Sequence, residues 1–209
     1  MWIKVCGITR IEDAISAATF GADAVGFVFA ASPRRVTPEQ VCEISSRMPS
    51  GLQKVGIFVD SPLDLVREVV ECCGLDLVQL HGGESPEYCA ALGDKAIKAI
   101  KVSRGTDVLR ASHYQCGALL FDSRGRSGGG GTGQTFDWRL LHLLDDRKRV
   151  IVAGGLDPRN VARAVRLVRP YGVDVSSGVE REPGVKDPVL MYEFIQNARR
   201  ADYEVSIAC

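Results

Sequence analysis

Four side chains capable of proton or hydrogen-bond chemistry close short apolar runs: Cys6 after IKV, His81 after LVQL, Asp122 after LLF and Ser176 after VDV. A thiol and a carboxylic acid can serve as base and acid toward a small substrate if the fold brings them to one place. An imidazole and a hydroxyl add a second proton carrier and a hydrogen-bonding group. Singly, each has a plainer use. A buried cysteine packs as a small hydrophobe, an aspartate can cap a turn, and His81 can hydrogen-bond within its own rim.

Three other stretches expose main chain: SGGGGTGQTFDW at 127–138, AGGL with Gly154 and Gly155, and SSGVE with Ser177 and Gly178. Glycine admits positive φ and lets amide N–H groups close on an anion. The first stretch, with Gly130, Gly131, Thr132 and Gly133, would read equally well as a flexible loop from composition alone. With the other two it suits a phosphate monoester, held by backbone amides and a hydroxyl or two with little help from Lys or Arg.

The elements that must position these groups recur regularly. Apolar, β-branched runs at WIKVC, AVGFVF, KVGIFV, LVQLH, AIKAIKV, ALLFDS, VIVAGG and GVDVSSG read as eight strands, with amphipathic helical stretches between them. Helix starts are signalled by Thr9 ahead of Glu12, Thr37-Pro38, Ser61-Pro62 and Asp157-Pro158. Alternating strands and helices demand parallel pairing. Eight units favour a closed (β/α)8 TIM barrel of α/β class, although 209 residues is short against the usual ~250. An open doubly wound sheet would want a glycine fingerprint after the first strand, where only Gly7 stands. The reading is a single barrel domain over 1–201 with a short tail at 202–209.

Side-chain alternation sets the faces. Ile3 and Val5 point to the helices, so Lys4 and Cys6 point inward; Val173 and Val175 point outward, so Asp174 and Ser176 point inward. Strands one and eight are neighbours in a closed barrel, which lets Lys4 and Asp174 neutralise each other where either alone would be costly. Gln79 shares a face with His81, and Leu120 with Asp122. Strand five stays open, since Lys98 and Lys101 fall on opposite faces. Functional groups of such barrels gather at the C-terminal strand ends, which is where Cys6, His81, Asp122 and Ser176 converge.

Composition narrows the partners. Lys plus Arg and Asp plus Glu both number 26, and no basic run interleaves with aromatics, so neither nucleic acid nor a membrane surface is expected. No apolar tract is long enough to span a bilayer and no export signal is visible, so a cytoplasmic setting is expected. The 7 cysteines are scattered without a CxxC pair, which argues against a disulfide framework or a metal site. Cys72 and Cys73, adjacent on a helix, are expected to diverge.

KVCGIT, GADAVGFVF, QLHG, FDS with GGTGQTFDW, VAGGL, and VDVSSGVE with PGVKD closely resemble, in order, the phosphoribosylanthranilate isomerase family of tryptophan biosynthesis. The resemblance runs from Lys4 to about Arg200. It implies an aldose–ketose isomerase that carries out a cofactor-independent Amadori rearrangement of N-(5-phosphoribosyl)anthranilate to 1-(2-carboxyphenylamino)-1-deoxyribulose 5-phosphate. It also implies Cys6 as general base, Asp122 as general acid, and Arg35, next to Arg34, as the arginine holding the anthranilate carboxylate. For Asp122 to start protonated, a partly apolar pocket is expected around it. His81, Asp174, Ser176 and the glycine segments complete the expected substrate site. The family includes monomers and dimers, so monomer or homodimer is the expectation. Two other readings are a different phosphosugar barrel, of the indole-glycerol-phosphate synthase or histidine-pathway isomerase kind, and a non-catalytic phosphate-binding barrel. Cys6 argues against the enzymatic alternatives, which want a lysine acid or paired aspartates, and Cys6 with Asp122 argues against the last.

Overall fold

The computed structural model describes residues 1–123, 135–144 and 149–208. Gly130, Gly131, Thr132 and Gly133 lie outside them. Eight parallel strands close a barrel in sequence order: β1 (Trp2–Cys6), β2 (Ala24–Val28), β3 (Gln53–Phe58), β4 (Leu77–Leu80), β5 (Ala96–Val102), β6 (Ala118–Ser123), β7 (Val150–Val152) and β8 (Gly172–Val175). Around them run α1 (Ile11–Phe20), α2 (Pro38–Ser46), α3 (Leu63–Cys73), α4 (Pro86–Ala90), α5 (Gly105–Arg110), α6 (Val161–Val168) and α7 (Pro188–Ile207). Between β8 and α7 a small antiparallel ribbon of β9 (Glu180–Glu182) and β10 (Val185–Lys186) folds over the first strand.

The expected alternation holds. Ile3, Val5, Val173 and Val175 pack in the layer shared with the helices, whereas Trp2, Ala24, Val55, Ile97, Ala118, Leu120 and Ile151 fill the lumen. Alanines on several strands leave room there for the one indole, Trp2, whose Nε1 donates to Gln53 Oε1 at 2.8 Å. Strand five resolves with Ile97 and Ala99 inward. Lys98 faces the other way and is fully satisfied there, by Glu84 Oε2 at 2.6 Å and the carbonyls of Leu80 and Gly82.

Local signals met different fates. Thr37 forms a complete capping box with Gln40, and Asp157 accepts from the amides of Arg159 and Asn160 at the turn into α6. Thr9 caps nothing: its hydroxyl donates to the Gly184 carbonyl and ties the ribbon to the loop between β1 and α1. Pro62, not Ser61, is the residue that precedes α3, with no side-chain cap. The segment after β6 is a 3-10 helix, Trp138–Leu143, rather than an α-helix. The expected tail at 202–209 is corrected as well. α7 runs unbroken to Ile207, and its Asp202 receives the Met1 ammonium at 2.9 Å while Glu204 pairs with Arg166. The buried stripe Met191, Phe194, Ile195, Ala198, Ala201 keeps helical spacing into that last part.

Lys4 and Asp174 pair in register across β1 and β8, and their charged atoms lie 2.8 Å apart inside the barrel. The contact is oblique for a hydrogen bond, so it acts chiefly as an ion pair. Burial lifts the Asp174 carboxyl above its ordinary range, and Lys4 only partly offsets that. Lys4→Met therefore strands a carboxylate in the core and is expected to cost about 3–5 kcal/mol near neutral pH. Because the folded state then binds the extra proton more readily than the unfolded chain, stability falls as pH rises and returns as it drops. Urea midpoints at acidic and neutral pH check this; equal losses at both would refute it.

A second correction concerns the cysteines. α2 and α3 bring the sulfurs of Cys42, Cys72 and Cys73 within 4.8 Å of one another, so the adjacent pair does not diverge.

Candidate active site

At the C-terminal mouth of the barrel a funnel is lined by Cys6, His81, Asp122, Gly154, Gly155 and Ser176, together with Arg34, Asp174, Ser177 and Gly178. β1 delivers Cys6 as its last inward side chain, and the opposite wall is cut back to receive the sulfur. A Cβ on Gly26 of β2 would lie 2.9 Å from Sγ. The Cys6 carbonyl accepts from Lys186 Nζ at 2.6 Å, and the same ammonium reaches the Ser176 carbonyl at 3.2 Å and Glu180 Oε1 at 2.8 Å. Lys186 thus fastens the ends of β1 and β8 from the β9–β10 ribbon. Burial pushes the Cys6 thiol up, while Lys4 and Lys186 pull it back and Asp174 adds to the rise. Burial likewise depresses Lys186 despite its partner Glu180.

From β6, Asp122 faces His81 on the rim after β4, with Oδ2 3.3 Å from Nε2. Gln79 Nε2 meets His81 Nδ1 at 2.9 Å, so a line of polar groups runs from the lumen to the carboxyl. As oriented, the amide donates and the ring proton stands on Nε2, toward Asp122. Turning the amide would give the buried, unpartnered Gln79 Oε1 a donor in Nδ1–H and leave Nε2 to accept from a protonated Asp122. The Asp122 side chain keeps 23% exposure beside His81 and the Gly154 main chain, in a funnel whose lining also includes the apolar Ile57, Ala153 and Val175.

That main chain comes close because it carries no side chain. Gly154 has φ 77°, and a Cβ on it would fall 2.2 Å from the Ser123 amide nitrogen and 2.3 Å from Asp122 Oδ1. Gly155 follows with φ 68°. The β8 loop abuts the same turn, since a Cβ on Gly178 would stand 1.9 Å from the Leu156 carbonyl. Among the described residues the amides of Gly154, Gly155, Ser177 and Gly178 have no main-chain acceptor. Two tight turns with spare donors, side by side, form an anion-accepting surface.

Arg34, rather than Arg35, stands at the mouth. Arg35 is exposed and does not line the funnel. Arg34 is 14% exposed, and its Nε and Nη2 grip Glu180 at 2.8 and 2.6 Å, which leaves Nη1 for a ligand. Gly7, with φ 76°, makes the space: a Cβ there would lie 2.5 Å from Arg34 Cδ. The hydrogen bonds to Glu180 raise Arg34 above its ordinary value. Burial of Glu180 pushes its carboxyl up, and Arg34 and Lys186 together outweigh that and hold it low.

Arg34, Glu180 and Lys186 are the residues that sequence spacing did not single out for this site. Only the PGVKD motif, as part of the resemblance, hinted at Lys186. The funnel offers an acid, a base, an anion-accepting floor and one guanidinium, and no grouping of metal ligands is found in it among the described residues.

Known proteins match this arrangement along nearly the whole chain. The family model described as N-(5'-phosphoribosyl)anthranilate isomerase matches residues 3–197. An N-(5'-phosphoribosyl)anthranilate isomerase of Desulforamulus reducens is 48% identical over 204 residues, covering 98% of each chain. The solved structure of monomers of the dimeric phosphoribosylanthranilate isomerase from Thermotoga maritima superposes with a TM-score of 0.86 at 39% identity, covering 96% of this chain and 99% of that one. A solved phosphoribosyl anthranilate isomerase in complex with reduced 1-(o-carboxyphenylamino)-1-deoxyribulose 5-phosphate gives 0.84 at 39% identity with the same coverage.

Proposed function

Because the chain belongs to the N-(5'-phosphoribosyl)anthranilate isomerase family, we propose that Cys6 and Asp122 divide the two proton transfers of its reaction between them. The enzyme isomerises N-(5'-phosphoribosyl)anthranilate, an aminoaldose phosphate, to the aminoketose 1-(2-carboxyphenylamino)-1-deoxyribulose 5-phosphate. Asp122 gives its proton to the furanose ring oxygen as the bond from that oxygen to C1 breaks, and the nitrogen lone pair forms a protonated imine. The Cys6 thiolate then removes the acidified C2 proton, and the electron pair forms a C1=C2 bond while neutralising the nitrogen. Loss of the enol hydroxyl proton with arrival of a proton at C1 gives the ketone. Every electron pair stays within the substrate, so the steps are general acid–base catalysis throughout.

The observation that supports this division is the shared funnel: the sulfur and the carboxyl enter it from strands that are not neighbours, with the glycine turns beside the carboxyl. The phosphate is read onto Gly154, Gly155, Ser176, Ser177 and Gly178; the expected part of Gly130, Gly131, Thr132 and Gly133 lies outside the described residues. His81 supports Asp122, and Asp174 serves as counter-ion to Lys4 beneath the sugar.

The anthranilate carboxylate is assigned to Arg34. A charge-assisted hydrogen bond is worth about 1.5–3 kcal/mol, so Arg34→Ala is expected to raise KM roughly 10- to 100-fold, while Arg35→Ala changes it little. Turnover followed by loss of substrate fluorescence measures both. A larger effect from Arg35→Ala would reverse the assignment, and an inactive wild type would defeat the catalytic reading.

All groups named come from one chain, so the site is compatible with monomer or homodimer. A cytoplasmic setting fits the free thiols of the six described cysteines. Among the described residues no helix is long and apolar enough to cross a membrane.

A further inference from the structure

Outside the funnel, on the outer helical ring, α2 and α3 pack side by side and gather three sulfurs. The Sγ atoms of Cys42, Cys72 and Cys73 all lie within 4.8 Å of one another. Cys73 is buried, Cys42 half-buried and Cys72 exposed, so the group has a fixed base and an open mouth. None of the three lines the funnel.

Sulfurs sharing one metal ion at bonds of about 2.3 Å stand roughly 3.8 Å apart in a tetrahedral arrangement and roughly 4.0 Å apart in a trigonal one. The separations seen here need only small side-chain rotations to reach either. The competing use, a disulfide, needs two sulfurs at about 2.05 Å and would strand the third. Competition from the protein is weak: the Cys42 and Cys73 thiols reach only the carbonyls of Cys72 and Pro38, at 3.5 and 3.7 Å. A donor set of thiolates alone selects soft ions over hard ones.

We propose that Cys42, Cys72 and Cys73 form a three-thiolate site for one soft d10 metal ion, of the Cu(I) or group-12 dication class, that clips α2 to α3. The site is separate from isomerisation and acts on the folded state, which alone assembles all three ligands.

Cd²⁺ is the probe. Titrated anaerobically into the reduced full-length protein, it should produce a sulfur-to-metal charge-transfer absorbance that saturates at one ion per chain, with a rise in Tm. Cys72→Ser, at an exposed position where packing is not at stake, should weaken binding by about tenfold or more, since loss of an outer-shell partner alone costs that much. A Cys42→Ser/Cys72→Ser double variant should lose both the tight equivalent and the Tm rise, whereas Cys6→Ser should keep them. The proposal is overturned if no band forms, if the double variant binds as the wild type does, or if Cys6→Ser abolishes binding.

Discussion

Asp122→Asn is expected to lower kcat by about 10²- to 10⁴-fold, the range supplied by a positioned general acid. The substitution keeps the size and planarity of the side chain and can keep a contact with His81 Nε2, 3.3 Å away in the wild type. What it removes is the one proton that can leave for the furanose oxygen. Substrate affinity should hold, because the phosphate turns and Arg34 are untouched. Steady-state kinetics with wild type and variant separate these effects, and a kcat within tenfold of wild type would remove Asp122 from the acid's role. Gly154→Ala offers a contrasting route to the same carboxyl. Its methyl would press on Asp122 Oδ1 and the Ser123 amide together, so it should damage binding as well as turnover.

Cys6→Ala should cost a similar 10²- to 10⁴-fold, for the opposite reason: no group remains to take the C2 proton. Here pH adds a signature. Only the thiolate is a base, and burial has pushed this thiol up against the pull of Lys4 and Lys186. The active form needs this thiolate together with a protonated Asp122, so in the wild type the two fractions oppose each other as pH rises. Asp122→Asn removes the second requirement: its residual kcat/KM should climb on the alkaline side of neutrality as the thiol ionises, and an Asp122→Asn/Cys6→Ser double variant, whose hydroxyl does not ionise there, should lack that climb. Rate profiles for the two variants decide the matter; an Asp122→Asn profile flat through this region, or a double variant that retains the climb, would count against the sulfur as base.

The parts of this molecule that were readable from sequence were those governed by local periodicity. A strand alternates faces every residue, so IKVC and VDVS placed Lys4, Cys6, Asp174 and Ser176 inward, and the register of β1 on β8 sets Lys4 opposite Asp174. Periodicity failed where a charge hides on the helix side. Lys98 looked like a lumen candidate as much as Lys101 did, because its partner Glu84 belongs to a loop after β4 that no pattern in β5 announces. Arg34 and Arg35 differ by one residue in sequence, and their sorting depends on a glycine at position 7 and a carboxylate at 180. The thiol group on α2 and α3 escaped for the same reason: Cys42 precedes Cys72 by thirty residues and meets the α3 pair only through packing of neighbouring helices. The resemblance to known isomerases supplied the expected roles but could not separate two adjacent arginines, whereas their surroundings do: Arg34 lines the funnel and Arg35 does not.

The bond from Lys186 to the Cys6 carbonyl joins positions separated by 180 residues. A chain that has been synthesised only as far as residue 185 therefore lacks the ammonium that ties down the end of its first strand. Nascent chains halted before that point would carry most of the barrel yet lack a finished rim, so isomerase competence should be acquired late and abruptly rather than in proportion to length.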